Sequence, residues 1–186
     1  MMCIKKVKKR NKRIIMIRKI YQSFGEVGVK QVLIKMKDLI ISSDNSRVVK
    51  QKAISIIKNV RPDDEYSQID RIFQWVKDNV KYVRDISGVE ELTAPQQILI
   101  SLDKGIIDFS SDCDDMAMLL SALLRSVGFK TRLEIVALKS DKEYDHARVS
   151  VFYNKRKMWL PLEATFKFSR IGDGFSSKRN ILTLEI

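Results

Sequence analysis

Residues 111–128 read Ser-Asp-Cys-Asp-Asp-Met-Ala-Met-Leu-Leu-Ser-Ala-Leu-Leu-Arg-Ser-Val-Gly, and no other stretch constrains the fold as tightly. The pattern predicts a helix that begins at a cysteine. Asp112 suits the N-cap, because its carboxylate accepts the free amide protons of the first turn. Asp114 and Asp115 suit the positive end of the helix dipole. Met116, Leu119, Leu120 and Leu123 recur at i, i+3, i+4 and i+7, which predicts one buried face. Gly128 reads as the C′ stop, with Arg125 in the last turn. Cys113 therefore stands where the unpaired amides of a helix start point. That position lowers a thiol pKa, and the thiolate is the reactive form. The neighbouring carboxylates of Asp112, Asp114 and Asp115 oppose the shift, so reactivity requires a basic partner such as histidine. Taken alone, a free cysteine is more often a small buried hydrophobe.

The chain has one histidine, His146. It opens the alternating run His146–Tyr153, which reads as a strand. Asn154–Lys157 is a polar turn, and Met158–Thr165 is a second apolar run, so the three pieces predict a hairpin. A turn centred between Asn154 and Lys155 puts His146 directly opposite Glu163, with Cβ atoms about 5 Å apart. A centre shifted by one residue puts His146 opposite Thr165 instead. Pro161 limits ladder pairing and predicts an edge strand or a bulge.

A histidine beside a carboxylate is the second half of a triad. The acid fixes the imidazole tautomer, and the imidazole activates a nucleophile. Separately, His146 reads as a surface strand residue and Glu163 as a strand-end carboxylate in water. Together with Cys113 they form a candidate Cys–His–Glu catalytic set.

These residues resemble the transglutaminase-like superfamily, in its short bacterial and bacteriophage form. The resemblance rests on Asp-Cys113-Asp-Asp-x-Ala-x-Leu-Leu, the strand carrying His146, and Trp159-Leu-Pro-Leu-Glu163-Ala-Thr165. It extends upstream through Ile72–Asp85, matching a helix and strand that precede the cysteine, and through Thr93-Ala94-Pro95. It spans roughly residues 25 to 166. The family commonly has glycine where Ser111 stands and aspartate where Glu163 stands. The resemblance implies an α+β, papain-like core, with the cysteine helix packed on an antiparallel sheet. It implies Cys113 as nucleophile, His146 as general base and acid, and Glu163 as orienter. It implies acyl transfer on an amide through a thioester, with hydrolysis (peptidase or amidase) favoured over transglutamination and a peptide or protein as substrate. No cofactor is implied. The alternative is a non-catalytic module that keeps the fold, such as a phage particle or maturation component. In larger transglutaminases an upstream tryptophan holds the oxyanion; here Trp75 reads as helix packing instead. The Cys113 backbone N–H is the expected oxyanion donor.

At 186 residues the chain is long enough for one ordinary domain with a core. Its two cysteines make no disulfide framework and suit a reducing, cytosolic setting; the resemblance implies that this is a bacterial or phage-infected cell, or a virion. Neither a membrane span nor a secretory signal is expected. Formal net charge is +12. Much of it comes from Lys5, Lys6, Lys8, Lys9, Arg10, Lys12, Arg13, Arg18 and Lys19, which all precede the first acid, Glu26. Residues 5–19 thus form a basic arm suited to an anionic partner: nucleic acid, a membrane surface or an acidic protein. Ile14, Ile15, Met16, Ile17 and Ile20 are spaced so that the arm could be an amphipathic helix; the plain alternative is a solvated arm.

The expected organisation is an arm over 1–24, a helical subdomain over 25–62 and the core over 63–186. Val29, Val32, Leu33, Met36, Leu39 and Ile40 predict one helix. Val49, Ala53, Ile56, Ile57 and Val60 predict a second, capped by Asn45 or Ser46 and ended by Arg61-Pro62. Asp63 or Asp64 caps a third, with Ile69, Ile72, Phe73, Val76 and Val80 inward. A loop-rich connection with a short helix near Pro95–Ser101 leads to the cysteine. Strands are expected over 131–138 and 181–186. One histidine and one central cysteine argue against a zinc site.

Overall fold

The structure, a computed structural model, describes residues 17–20, 26–83, 90–105, 111–138, 144–174 and 180–186. Its elements run β1 (Ile17–Ile20), α1 (Glu26–Ser43), α2 (Arg47–Ile57), α3 (Glu65–Asn79), β2 (Glu90–Thr93), α4 (Pro95–Asp103), α5 (Cys113–Ser126), β3 (Thr131–Val136), β4 (His146–Tyr153), β5 (Met158–Leu162) and β6 (Ile181–Glu185). The fold is α+β. The larger sheet has the order β5-β4-β3-β6, antiparallel throughout. Helices cover one face of it, and α5 lies against β4 and β3 with α1, α2, α3 and α4 around it.

Local chemistry sets four of the helix ends. Ser46 caps α2, accepting from the Val49 amide. Asp64, not Asp63, caps α3, accepting from Ser67 N at 3.1 Å. Asp112 caps α5, accepting from Asp115 N at 3.0 Å. Gly128 adopts φ 97°, a left-handed conformation that glycine takes without strain, and the Phe129 amide reaches back to Leu124 O. Arg125 then ties the end of α5 to Asp44, with Nη2 and Oδ2 2.6 Å apart.

Helix α5 exceeds its expected role. Every residue from Asp114 to Leu124 is buried, so it has no solvent face at all. Residues of α1, α2, α3, α4, β3, β4 and β5 contribute to the same apolar core around it. Trp75 is partly buried on α3, with the Lys52 ammonium of α2 5.3 Å from its ring centroid, so its place is helix packing.

Two expectations on the N-terminal side change. Residues 17–20 are a strand, not a helix turn. They pair antiparallel with β2, Ile17 opposite Thr93 and Ile20 opposite Glu90. The connection before the cysteine accordingly holds a strand as well as α4. The expected strand after α3 reduces, among the described residues, to a single bridge between Tyr82 and Ser111. The basic run 5–13 and the loop segment 139–143 lie outside the described residues.

Strand β5 is an edge strand, which accommodates Pro161 opposite Ser150. The sheet face away from α5 is not simply solvated. There Glu134 of β3 accepts from Arg148 Nε at 2.7 Å and from Ser150 Oγ at 2.6 Å, both on β4, and from Arg132 Nε at 2.9 Å. Glu134, Arg148 and Ser150 are all buried. Burial alone would raise the Glu134 carboxyl. The Ser150 hydroxyl, the Arg148 charge and hydrogen bond, and the Arg132 hydrogen bond outweigh it and hold the carboxyl below its ordinary value.

Candidate active site

The first turn of α5 is fixed from both sides. Upstream, Val83 N donates to Ser111 O at 2.9 Å. Within the turn, Asp112 caps it, and Asp115 Oδ1 accepts the buried Thr93 amide at 2.7 Å, tying β2 to the helix start. Cys113 is the first residue of the helix and is partly exposed. Its thiol points a long hydrogen bond, 3.6 Å, at Asp114 Oδ1. On the other side, the backbone N–H of Ala147 is directed at the sulfur. Ala147 follows His146 in β4, so the start of that strand meets the start of α5. The sulfur opens on a narrow crevice lined by Ala147, Ala164 and Thr165 among others.

The thiol is held protonated. Burial pushes it well above its ordinary value, and the charges of Asp114 and Asp112 push the same way. The Ala147 amide pulls back but is outweighed. Burial and the flanking carboxylates thus act together against the thiolate that a helix start favours.

His146 and Glu163 come together as expected, by a different route. His146 Nε2 and Glu163 Oε2 are 2.6 Å apart, and both side chains are buried. The strands pair Val149 with Leu162 and Tyr153 with Met158. The turn is thus centred between Lys155 and Arg156, one residue beyond the symmetric placement. Continued past Leu162, that register would set Thr165 opposite His146 and Glu163 on the diagonal. Diagonal neighbours are about 7–8 Å apart at the backbone, within reach of a long side chain. Glutamate supplies that reach.

Glu163 is itself held. Its Oε1 accepts from Thr165 N at 3.0 Å and from Thr165 Oγ1, and its carbonyl accepts from Ser169 Oγ. Phe166 lies on the His146 ring, centroids 5.8 Å apart and planes 14° apart. These contacts of Thr165, Phe166 and Ser169 were not read from the sequence, although Thr165 closes the motif that carries Glu163. Nε2 is the ring nitrogen that faces the carboxylate, and a neutral imidazole donating from it keeps its acceptor lone pair on Nδ1. Among the described residues, no three His, Cys, Asp or Glu side chains converge as a metal site.

A cysteine at the head of a buried helix, packed on an antiparallel sheet that carries a carboxylate-bound histidine, is the layout of a papain-like thiol-enzyme domain. A family model of the transglutaminase-like superfamily matches residues 53–164, more than half of the chain and all three of Cys113, His146 and Glu163, and the protein belongs to that superfamily. No curated protein sequence matches it. Among solved structures, a protein of Cytophaga hutchinsonii described as a candidate cysteine protease is 17% identical, with TM-score 0.46. That likeness covers 74% of this chain but only 50% of the other. Calcium-bound LapG of Legionella pneumophila is 17% identical over 75% of each chain, with TM-score 0.48. Its EGTA-treated form is 16% identical over 73% of each, with TM-score 0.47. The family assignment does not rest on these distant likenesses.

Proposed function

We propose that the protein is a cysteine-dependent acyl-transfer enzyme that hydrolyses an amide bond in a peptide or protein. The observation that carries this reading is the buried 2.6 Å contact between His146 Nε2 and Glu163 Oε2, set where β4 meets the helix start that bears Cys113. Because the resting thiol is held neutral, attack is assisted by a general base. His146 takes the Cys113 proton on Nδ1 as the sulfur adds to the carbonyl carbon. The Glu163 carboxylate stabilises the imidazolium that results. The Cys113 backbone N–H donates to the developing oxyanion. His146 then gives its proton to the departing amine as the C–N bond breaks, which leaves a thioester. Water adds to the thioester, the C–S bond breaks, and the thiol and a carboxylic acid are released. A second amine in place of water gives transamidation with the same residues.

One observation favours a second reading, a non-catalytic module such as a phage particle or maturation component. Burial, joined by the carboxylates of Asp114 and Asp112, holds the thiol neutral where a resting thiolate would be more reactive. Alkylation separates the two. Iodoacetamide labelling of Cys113 is followed against pH in a Cys3→Ser background, with and without His146→Ala. An enzyme labels faster at neutral pH with His146 present and shows a lower apparent pKa. Coincident profiles would make Cys113 structural and remove the catalytic reading.

A further inference from the structure

Beside the acid–base pair lies an open hollow of ≈ 560 Å³. This is within the range of ligand clefts, about 300–1,000 Å³. Its lining includes Glu163, Thr165, Phe166, Lys167, Phe168 and Asp173. We infer that this hollow is the subsite for the amine half of the substrate, taking an aromatic or large aliphatic side chain next to the nitrogen. The inference rests on the acyl-transfer reading and adds to it a location and a chemical class.

Four observations carry it. First, the hollow joins the site already described: Thr165 lines both it and the crevice at Cys113. Second, it borders Glu163, the partner of His146, and not Cys113, so it lies on the His146 side of the sulfur, and His146 is the residue that hands the proton to the leaving amine. Phe166, whose ring lies on His146, forms part of its wall. Third, it is apolar in character. Phe168 is 88% exposed, and Phe166, whose ring also lies on His146, is 49% exposed. The charges on its lining, Lys167, Asp173 and Glu163, are of mixed sign, and Glu163 is already engaged by His146 and Thr165. Fourth, the wall is preformed. Ser169 Oγ bonds the Glu163 and Phe166 carbonyls, Lys77 Nζ donates to Ser169 O at 2.6 Å, and Gly172 N donates to Pro161 O at 2.9 Å. A ligand entering it meets side chains whose backbone is already ordered, which lowers the cost of binding.

The test uses an acyl donor with no amine half. In a Cys3→Ser background, p-nitrophenyl acetate acetylates Cys113: the C–S bond forms, the ester bond breaks and p-nitrophenolate leaves. The thioester then partitions between water and an added amine. The amine nitrogen attacks the carbonyl and gives up its proton to His146, the C–S bond breaks, and an N-acetyl amide is released with the thiol restored. Phenylalaninamide and glycinamide are compared at equal concentration, with N-acetyl product measured against acetate. Capture by phenylalaninamide is expected to exceed capture by glycinamide about tenfold or more, the scale of apolar discrimination in a fitted pocket. Phe168→Ala is expected to bring the ratio toward parity, and Phe168→Trp to keep it. Equal partition, or capture of neither amine, from an acetyl-enzyme seen by mass spectrometry would overturn the subsite and leave acyl transfer standing. No acetyl-enzyme dependent on Cys113 would take down both.

Discussion

His146 and Glu163 meet at 2.6 Å along a diagonal of the β4–β5 hairpin, not as directly opposed residues. The four-residue turn Asn154–Lys157 sets this register, with Lys157 at φ 52°. The offset explains why glutamate serves where the family more often has aspartate. The longer side chain spans the diagonal, and Thr165 holds its second oxygen.

Shortening that side chain is therefore expected to cost activity and not fold. Glu163→Asp withdraws the carboxylate from His146 by about one carbon–carbon bond, and misplacement of about 1 Å costs about 10²-fold in rate. The kcat for acyl transfer is compared with the circular dichroism spectrum and thermal midpoint. A full rate in Glu163→Asp would mean that the chain relaxes around the shorter acid.

Asp114 is expected to tune the thiol. It lies second to burial among the causes that raise the Cys113 pKa. Asp114→Asn removes a negative charge beside the sulfur, so the thiol should titrate at lower pH than in the wild type. It should stay above an ordinary thiol, because the burial remains. Thiolate absorbance in the ultraviolet against pH reads the shift directly; an unmoved midpoint would assign the effect to burial and Asp112.

Glu134 is expected to make stability acid-sensitive. Its folded-state pKa lies below the ordinary 4.5. Its contribution is then complete above about 4.5 and fades as pH falls through the folded value. Glu134→Gln also takes away the carboxylate to which Arg148 Nε donates, and removing one charge from a buried pair costs about 3–5 kcal/mol at neutral pH. Urea unfolding should show a wide gap between wild type and variant at pH 7, narrowing below pH 4.5. A gap independent of pH would show that packing, and not charge, is what the substitution removes.

Helix α5 offers a test of packing. Met118 lies off the apolar stripe expected from sequence, yet it is as fully buried as Leu120, which lies on it. Met118→Ala and Leu120→Ala should each destabilise by about 2–5 kcal/mol in denaturant melts. A mild effect at Met118 alone would restore a one-sided helix.

What could be read from the sequence was what local chemistry decides. Ser46, Asp64, Asp112 and Gly128 mark helix ends because a cap is a contact between near neighbours. The meeting of His146 and Glu163 was legible because each sits in a recognisable element of one hairpin. The encirclement of α5 was not. Met118 and Ala122, on the opposite side, are apolar too, so periodicity lacks the polar contrast that would define a face. The register was open because the turn could be centred in two ways. The pairing of Ile17–Ile20 with Glu90–Thr93 and the Glu134–Arg148 contact depend on partners far along the chain, which no local pattern announces.

The burial of α5 on every side also divides the molecule by how readily it opens. Amides in a helix with no wet face exchange with solvent only when the whole domain unfolds, whereas exposed segments exchange through small local fluctuations. Cys113 is thus mounted at the tip of the slowest-opening part of the molecule. The segment through Phe166, Lys167 and Phe168, largely exposed, belongs to the fast-opening part. Heat or denaturant should loosen the wall beside His146 well before it moves the sulfur.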